Sequence, residues 1–213
     1  MKKRADPAAR RQLALYRYHG PNKNNQNRQT AIDDETALWA ARMCVGEGGR
    51  RCSAVKAAAM LWAVMNRWML HTARRYWPTY RFLMRRFSQP INPRWQRGGD
   101  LARKYAGTKH CTSARLRRRA RISSLTWDEI PERIADAVED FQLGQLPPPA
   151  ELFELERPRI SNWASHKGLS KKYPWGLTFT KSAQPDWFFE DRVLIKGRVV
   201  IDHWDRKKGA LDG

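Results

Sequence analysis

The sequence predicts a mainly α-helical (α+β) protein with a small antiparallel sheet toward the C-terminus. Apolar residues recur at helical spacing after residue 33 and again after residue 126. Capping residues precede both segments. β-branched and aromatic residues concentrate at 187–201, which is typical of strands. The 213 residues, 41% of them hydrophobic, are enough to bury a core.

Residues 1–32 are predicted to form a basic N-terminal arm, and residues 33–213 a single folded domain. Residues 1–30 carry eight Lys or Arg and one acid, and the stretch 20–27 is polar and turn-rich. The basic start has no apolar run behind it, so no secretory signal is predicted, and no run approaches the length of a membrane span. We therefore expect synthesis in the cytoplasm without a signal peptide, with any action outside reached by another route.

Two helices are predicted between residues 33 and 70. The first begins at Asp33-Asp34-Glu35, because acids suit the positive end of a helix. The second begins after Ser53, a good N-cap. Asn66 and Arg67 are expected to cap and solvate its end, and the alternative is that they orient a loop over a substrate cleft. Its apolar positions follow i, i+3, i+4, i+7 spacing at Val55, Ala58, Ala59, Trp62, Met65 and Met69.

Further helices are predicted at Tyr80–Phe87, in part of 100–122, and after Thr126, where Thr126 to Glu129 has the pattern of a capping box. Gly144 is a natural end for this last helix. Near the C-terminus, Trp187 to Phe189 is β-like. Strands at 193–195 and 199–201 are predicted to form a hairpin around Lys196-Gly197.

The charge of the chain indicates a class of partner. Lys and Arg number 41 against 21 Asp and Glu, a formal net charge of +20, which attracts polyanions such as nucleic acid, anionic lipid headgroups and anionic wall polymers. The cluster Arg115–Arg121 is either a solvated helix face or a docking site for a polyanion or an acidic partner. Both interpretations stay open from the sequence.

Three cysteines do not make a disulfide framework, and scattered histidines without a Cys-x-x-Cys pair do not make a zinc site. We therefore expect no metal and no other cofactor. Cys44 and Cys52 bracket a short glycine-rich stretch. They form either a disulfide that closes this stretch or two buried thiols.

That stretch contains one carboxylate, Glu47, between Gly46 and Gly48-Gly49. The simpler interpretation is an ordinary glycine turn between helices with a solvated acid. The functional interpretation is an acid that is partly desolvated between two packed helices and so holds a proton near neutral pH. Cleavage of a glycosidic bond requires such a proton donor.

The order of several motifs resembles the SleB-type cell-wall hydrolases, the spore cortex-lytic enzymes and their phage relatives. The motifs are Gly46-Glu47, an Ala-rich helix that closes in Val64-Met65-Asn66-Arg67, and Phe87-Ser88-Gln89. Residues 137–147 and the ending Trp187-Phe188-Phe189 with its hairpin are also similar. The resemblance covers roughly residues 36–204.

The resemblance implies a lysozyme-like fold for residues 33–213 and a peptidoglycan lytic transglycosylase that acts on the MurNAc–GlcNAc glycan strand. Glu47 would be the one catalytic glutamate. Such a protein is expected to be phage-encoded for cell-wall penetration or lysis, as a virion component or an endolysin. Arg50 and Arg51 occupy the region where the family usually has a second glutamate.

Six residues are candidates for substrate binding, each with a structural interpretation beside it. Ser88 and Gln89 are implied by the family pattern. Large aromatic rings stack on sugar faces, and amide or imidazole groups donate hydrogen bonds. On these grounds the remaining candidates are Trp95 and Trp175 for stacking, with Trp163 and Tyr173 as further rings, and Asn162 and His166 for hydrogen bonds.

The alternative is a basic nucleic-acid-binding or virion structural protein without catalytic activity, with residues 1–32 and the Arg115–Arg121 cluster on phosphates or on other phage virion or tail proteins. True hydrolysis, in place of transglycosylation, would need a second carboxylate. Asp186 and Glu190 are the candidates for it.

Overall fold

The computed structural model describes residues 13–17, 29–70 and 79–147, together with the backbone of short strands at 162–164, 187–189, 193–195 and 198–200. Within these residues the protein is mainly helical with short antiparallel strands, as predicted. The helices are α1 Asp34–Gly48, α2 Ala54–Leu70, α3 Tyr80–Phe87, α4 Asp100–Lys104, α5 Ser113–Ser123 and α6 Glu132–Gln142. Short 3-10 turns lie at Gln89–Ile91, Pro93–Trp95 and Trp127–Glu129.

Helices α1 and α2 begin after the predicted residues Asp33 and Ser53, and α3 begins after a cap that was not predicted. The side chain of Asp33 accepts a hydrogen bond from the Thr36 N–H at 2.7 Å at the start of α1. Ser53 accepts one from the Lys56 N–H at 3.2 Å before α2. Thr79 does the same for α3 through the Phe82 N–H at 3.1 Å. Each side-chain oxygen satisfies a backbone donor that the first helical turn leaves unpaired, which confirms these boundaries.

The core forms around α2, which lies against α1, α3 and α6. Small residues on α2, among them Ala57, Ala59 and Ala63, are fully buried and let the neighbouring helices approach closely. Trp68 is also fully buried. The prediction for Asn66 and Arg67 is wrong, because α2 continues to Leu70 and both side chains are buried.

The capping box at Thr126 is present, but it begins a 3-10 turn and not α6. The Glu129 carboxylate accepts a hydrogen bond from the Thr126 N–H at 2.9 Å, which closes the turn Trp127–Glu129. Pro131 follows, and its fixed φ suits the entry to a new helix at Glu132. Gly144 lies just after α6 with φ of 72°, as predicted for a helix end.

A two-stranded antiparallel sheet lies near the N-terminus, where the sequence predicted an arm. Strands β1 (Leu15–Arg17) and β2 (Gln29–Ala31) pair with Tyr16 opposite Thr30. The Tyr16 hydroxyl donates to the Phe141 carbonyl oxygen at 2.6 Å, and its ring stacks on that of Phe141 with centroids 5.0 Å apart. Placing the sheet only toward the C-terminus is therefore wrong, since contacts with α6 hold this pair.

Two further antiparallel pairs lie in the C-terminal third. Strand β3 (Asn162–Ala164) pairs with β4 (Trp187–Phe189), and β5 (Val193–Ile195) pairs with β6 (Arg198–Val200). The β5–β6 pair lies where the hairpin was predicted, with its second strand one residue earlier. The predicted turn at 196–197 and most of the arm, residues 1–12 and 18–28, lie outside the described residues.

Candidate active site

Glu47 lies in the last turn of α1 and meets a residue that is distant in sequence. The Ser88 hydroxyl donates a hydrogen bond to Glu47 Oε1 at 2.8 Å. Glu47 is half-buried, and Ser88, which follows α3, is only 1% exposed. Two of the predicted site residues are thus in direct contact across a helix–helix junction.

Glycines permit this contact because they let two backbone segments approach closely. A Cβ atom at Gly46 would lie 2.5 Å from Pro90 Cβ, and one at Gly48 would lie 2.5 Å from Cys52 Sγ. Real Cβ atoms do not approach other atoms so closely. Gly49 has φ of 72° and its N–H donates to the Val45 carbonyl oxygen at 2.9 Å, which ends α1 directly after Glu47.

Guanidinium groups hold the loop that follows the acid. Arg133 of α6 donates from Nε to the Cys52 carbonyl oxygen and from Nη2 to the Arg50 carbonyl oxygen, both at 2.7 Å. Arg50 in turn donates from Nη2 to the Glu129 carbonyl oxygen at 3.1 Å. These charge-assisted hydrogen bonds fix the segment between α1 and α2 against the start of α6.

An arginine of α5 contacts the residue that precedes the acid. Arg118 Nη2 donates to the carbonyl oxygen of Gly46, the residue before Glu47, at 3.3 Å. The contact brings a positive charge to the peptide group that carries the acid. One member of the Arg115–Arg121 cluster therefore serves the Glu47 site, although its side chain was interpreted only as a solvated or docking charge.

The three cysteines are free and buried, so Cys44 and Cys52 are two thiols and not a disulfide. Burial raises the pKa of Cys44 well above its usual value, and the nearby Cys52 and Glu47 raise it further. Cys44 therefore stays protonated and is not a nucleophile. The glycine contacts and Arg133, not a disulfide, hold the turn.

Gln89 and Trp95 lie on the segment that follows Ser88. Gln89 is half-buried at the start of the 3-10 turn. The ring of Trp95 stacks on Tyr105 with centroids 5.4 Å apart, and the guanidinium of Arg119 lies 5.0 Å from the Trp95 centroid. These intramolecular contacts favour a structural role for Trp95 over sugar stacking.

The remaining predicted substrate-binding residues lie in the C-terminal third. Asn162 and Trp163 lie in β3, which is described by its backbone, and His166, Tyr173 and Trp175 lie outside the described residues. The candidates for a second carboxylate, Asp186 and Glu190, lie outside them as well.

The alternative interpretation of Arg67, that it orients a nearby segment, is favoured by one contact. The buried guanidinium of Arg67 lies 4.3 Å from the ring centroid of Phe87, the residue before Ser88. Such a cation–π contact fixes the end of α3 against α2.

Among the described residues, no group of three or more His, Cys, Asp or Glu is arranged to hold a metal ion. None of the described helices has both the length and the apolar character that crossing a membrane requires.

Comparison of the chain with protein-family models, curated proteins and solved structures finds no match. The function is therefore argued from the geometry of the Glu47 site.

Proposed function

We propose that this chain is a peptidoglycan lytic transglycosylase with a lysozyme-like catalytic domain, in which Glu47 is the catalytic acid and then the base. The carrying observation is the hydrogen bond from the buried Ser88 hydroxyl to Glu47 Oε1 at 2.8 Å. It fixes the orientation of a half-buried carboxyl group at a helix end. A positioned acid of this kind is what general acid catalysis requires.

The chemistry needs one carboxyl group. With Oε1 accepting from Ser88, Oε2 carries the acid proton and delivers it to the glycosidic oxygen, and the bond from that oxygen to the anomeric carbon breaks. The substrate's acetamido group stabilises the oxocarbenium-like centre. The ionised Glu47 then takes the proton of the C6 hydroxyl as its oxygen attacks the anomeric carbon, which leaves a 1,6-anhydro end without consuming water.

The surroundings of Glu47 support this assignment. The close Gly46–Pro90 contact and the Arg133 bonds hold the acid in one place, so little motion is needed at the moment of proton transfer. Other acids of the described residues lie in different settings. Glu132 and Asp136 of α6, for example, are exposed.

The decisive test is the clearing of purified sacculi by wild type and by Glu47→Gln. The amide keeps the shape of the acid but cannot donate the proton, so we expect the rate to fall by about 10²–10⁴-fold. Glu132→Gln, at an exposed acid with no described partner, is the matched control and keeps full activity. Unchanged clearing by a folded Glu47→Gln protein would refute the assignment. Anhydro-muramic ends in the products indicate transglycosylation, whereas reducing ends indicate hydrolysis.

A second function, nucleic-acid or virion-partner binding without catalysis, is favoured by one observation on α5. Arg115, Arg117, Arg118 and Arg121 are all exposed on this helix. Binding through phosphate contacts loses affinity steeply as salt rises. Steep salt dependence of DNA binding together with no lysis of sacculi would favour this second function.

A further inference from the structure

A cleft lies near the end of α1 that is opposite to Glu47. This cleft of about 560 Å³ opens between the first turn of α1, α3 and the segment that leads into α4. Glu35 lines this cleft and precedes Glu47 by twelve residues, so the two sites are about 18 Å apart along the helix. The volume is in the range of small-ligand pockets.

The cleft has a surplus of positive charge. Four arginines and two acids line it. Arg81 pairs with Glu35, and Arg94 donates to Asp100 Oδ2 from Nε at 2.9 Å and from Nη2 at 2.6 Å. The other two arginines, Arg85 and Arg86, form no ion pair with the described residues.

Arg85 is held in place without its hydrogen bonds being satisfied. Its guanidinium lies 4.1 Å from the ring centroid of Trp39, and the guanidinium of Arg42 lies 4.5 Å from the same centroid. The buried Nε of Arg85 makes no hydrogen bond within the described part of the chain. Burial and the charge of Arg81 lower the pKa of Arg85. An oxyanion beside the Arg85 guanidinium would offset the lowering of its pKa.

An aromatic ring lies on the same wall. Phe82 lines the cleft and is 40% exposed. The guanidinium of Arg86 lies 5.4 Å from its ring centroid. An aromatic face beside fixed arginines is the arrangement that takes a nucleobase by stacking and its phosphate by charge.

We propose that this cleft binds a nucleotide unit, with its phosphate on Arg85 and Arg86 and its base on Phe82. The unit belongs either to a free nucleotide or to single-stranded nucleic acid. The site is independent of Glu47 catalysis. It also differs from phosphate binding by α5, because the arginines of α5 do not line the cleft.

Fluorescence anisotropy of the full chain tests this, with a fluorescein-labelled 12-nucleotide single-stranded DNA of mixed sequence and with a fluorescently labelled nucleoside diphosphate as separate probes. Arg85→Gln/Arg86→Gln removes the surplus charge, and we expect affinity for the bound probe to fall by about tenfold or more. The control Arg115→Gln/Arg117→Gln removes equal charge from α5 and is expected to stay within about twofold. If the double variant does not fold, the single variant Arg86→Gln, at an exposed residue, takes its place as the test of the cleft.

Phe82→Ala separates a nucleotide site from a general anion site. Loss of stacking is expected to weaken binding by about fivefold or more. Binding of the oligonucleotide alone indicates a strand, and binding of both probes indicates a free nucleotide unit. Either result supports the proposal when the cleft variants also weaken binding of the probe. Equal losses in the cleft and α5 pairs, unchanged affinity in Phe82→Ala, or no binding of either probe by wild type would overturn it.

Discussion

The two ends of α1 carry sites built on opposite principles. At the C-terminal end one carboxyl group meets one buried hydroxyl, and backbone contact at Gly46 determines where they lie. Near the N-terminal end the cleft gathers four arginines around two acids, and charge dominates. The first site is determined by how closely the backbone packs, and the second by positive charge that the acids among the described residues do not balance. The two should therefore respond to different substitutions.

The largest expected effect is that of Gly46→Ala on the Glu47 site. The added Cβ would lie 2.5 Å from Pro90 Cβ, so we expect a loss of about 1–3 kcal/mol in the free energy of unfolding and a strong fall in sacculus clearing. Urea unfolding and turbidity measure the two quantities. Nucleotide affinity of the folded variant is expected to stay unchanged, because the cleft lies elsewhere.

The matched control is Gly107→Ala. Gly107 has φ of 76° with nothing within 4 Å, so the substitution costs about 1–2 kcal/mol of backbone strain without a steric clash. Clearing should persist in this variant at a similar loss of stability. If both variants lose clearing equally, general destabilisation and not the Glu47–Ser88 geometry is responsible.

A smaller effect is expected for Ser88→Ala. The substitution removes the hydroxyl that donates to Glu47 Oε1, and the loss of one such hydrogen bond, about 1–1.5 kcal/mol, corresponds to about a tenfold slower rate of clearing. Ser113→Ala, at an exposed position on α5, is the control. Full activity in Ser88→Ala would mean that the hydroxyl does not position the acid.

The smallest effect is expected at the cleft, for Asp100→Asn. Hydrogen bonds from Arg94 lower the pKa of Asp100 to about 2 from the ordinary value of 3.8. A carboxyl group with a lowered folded-state pKa contributes stability that is present above its unfolded pKa and is lost as pH falls toward the folded value. The stability difference between wild type and Asp100→Asn should be constant above about pH 5 and shrink between about pH 4 and 2.

Urea unfolding at several pH values measures this difference, which should be small because the pair is exposed. A difference that widens on acidification would contradict the pairing. Asp100→Asn also raises the positive charge of the cleft, so nucleotide affinity should rise slightly while sacculus clearing stays unchanged.

Local signals in the sequence predicted the helices well where a capping residue and a periodic apolar face coincide. The bounds predicted for Tyr80–Phe87 agree with those of α3, and the Thr79 side chain caps its start. The strand at Leu15–Arg17 was missed, since Tyr16 is buried only by residues far along the chain, such as Phe141. The sequence of Leu15–Arg17 alone does not indicate that Tyr16 is buried.

In the two sites as well, the sequence predicted residues but not the contacts between distant parts of the chain. The order of motifs placed both Glu47 and Ser88 among the candidates, but their contact depends on the Gly46–Pro90 approach, which sequence spacing does not predict. The cleft was missed because Arg81 and Arg85, four residues apart, have the pattern of a solvated basic helix face. Only the position of Trp39 under Arg85 distinguishes a fixed arginine from a mobile one.

The bonds from Arg133 to the carbonyl oxygens of Arg50 and Cys52 have a consequence for dissecting the protein. A truncated fragment that stops before α6 would still contain the acid and the serine. It would lack the Arg133 hydrogen bonds that hold the loop between α1 and α2 in place. A shortened chain used to test the proposed activity should therefore extend at least through Gln142.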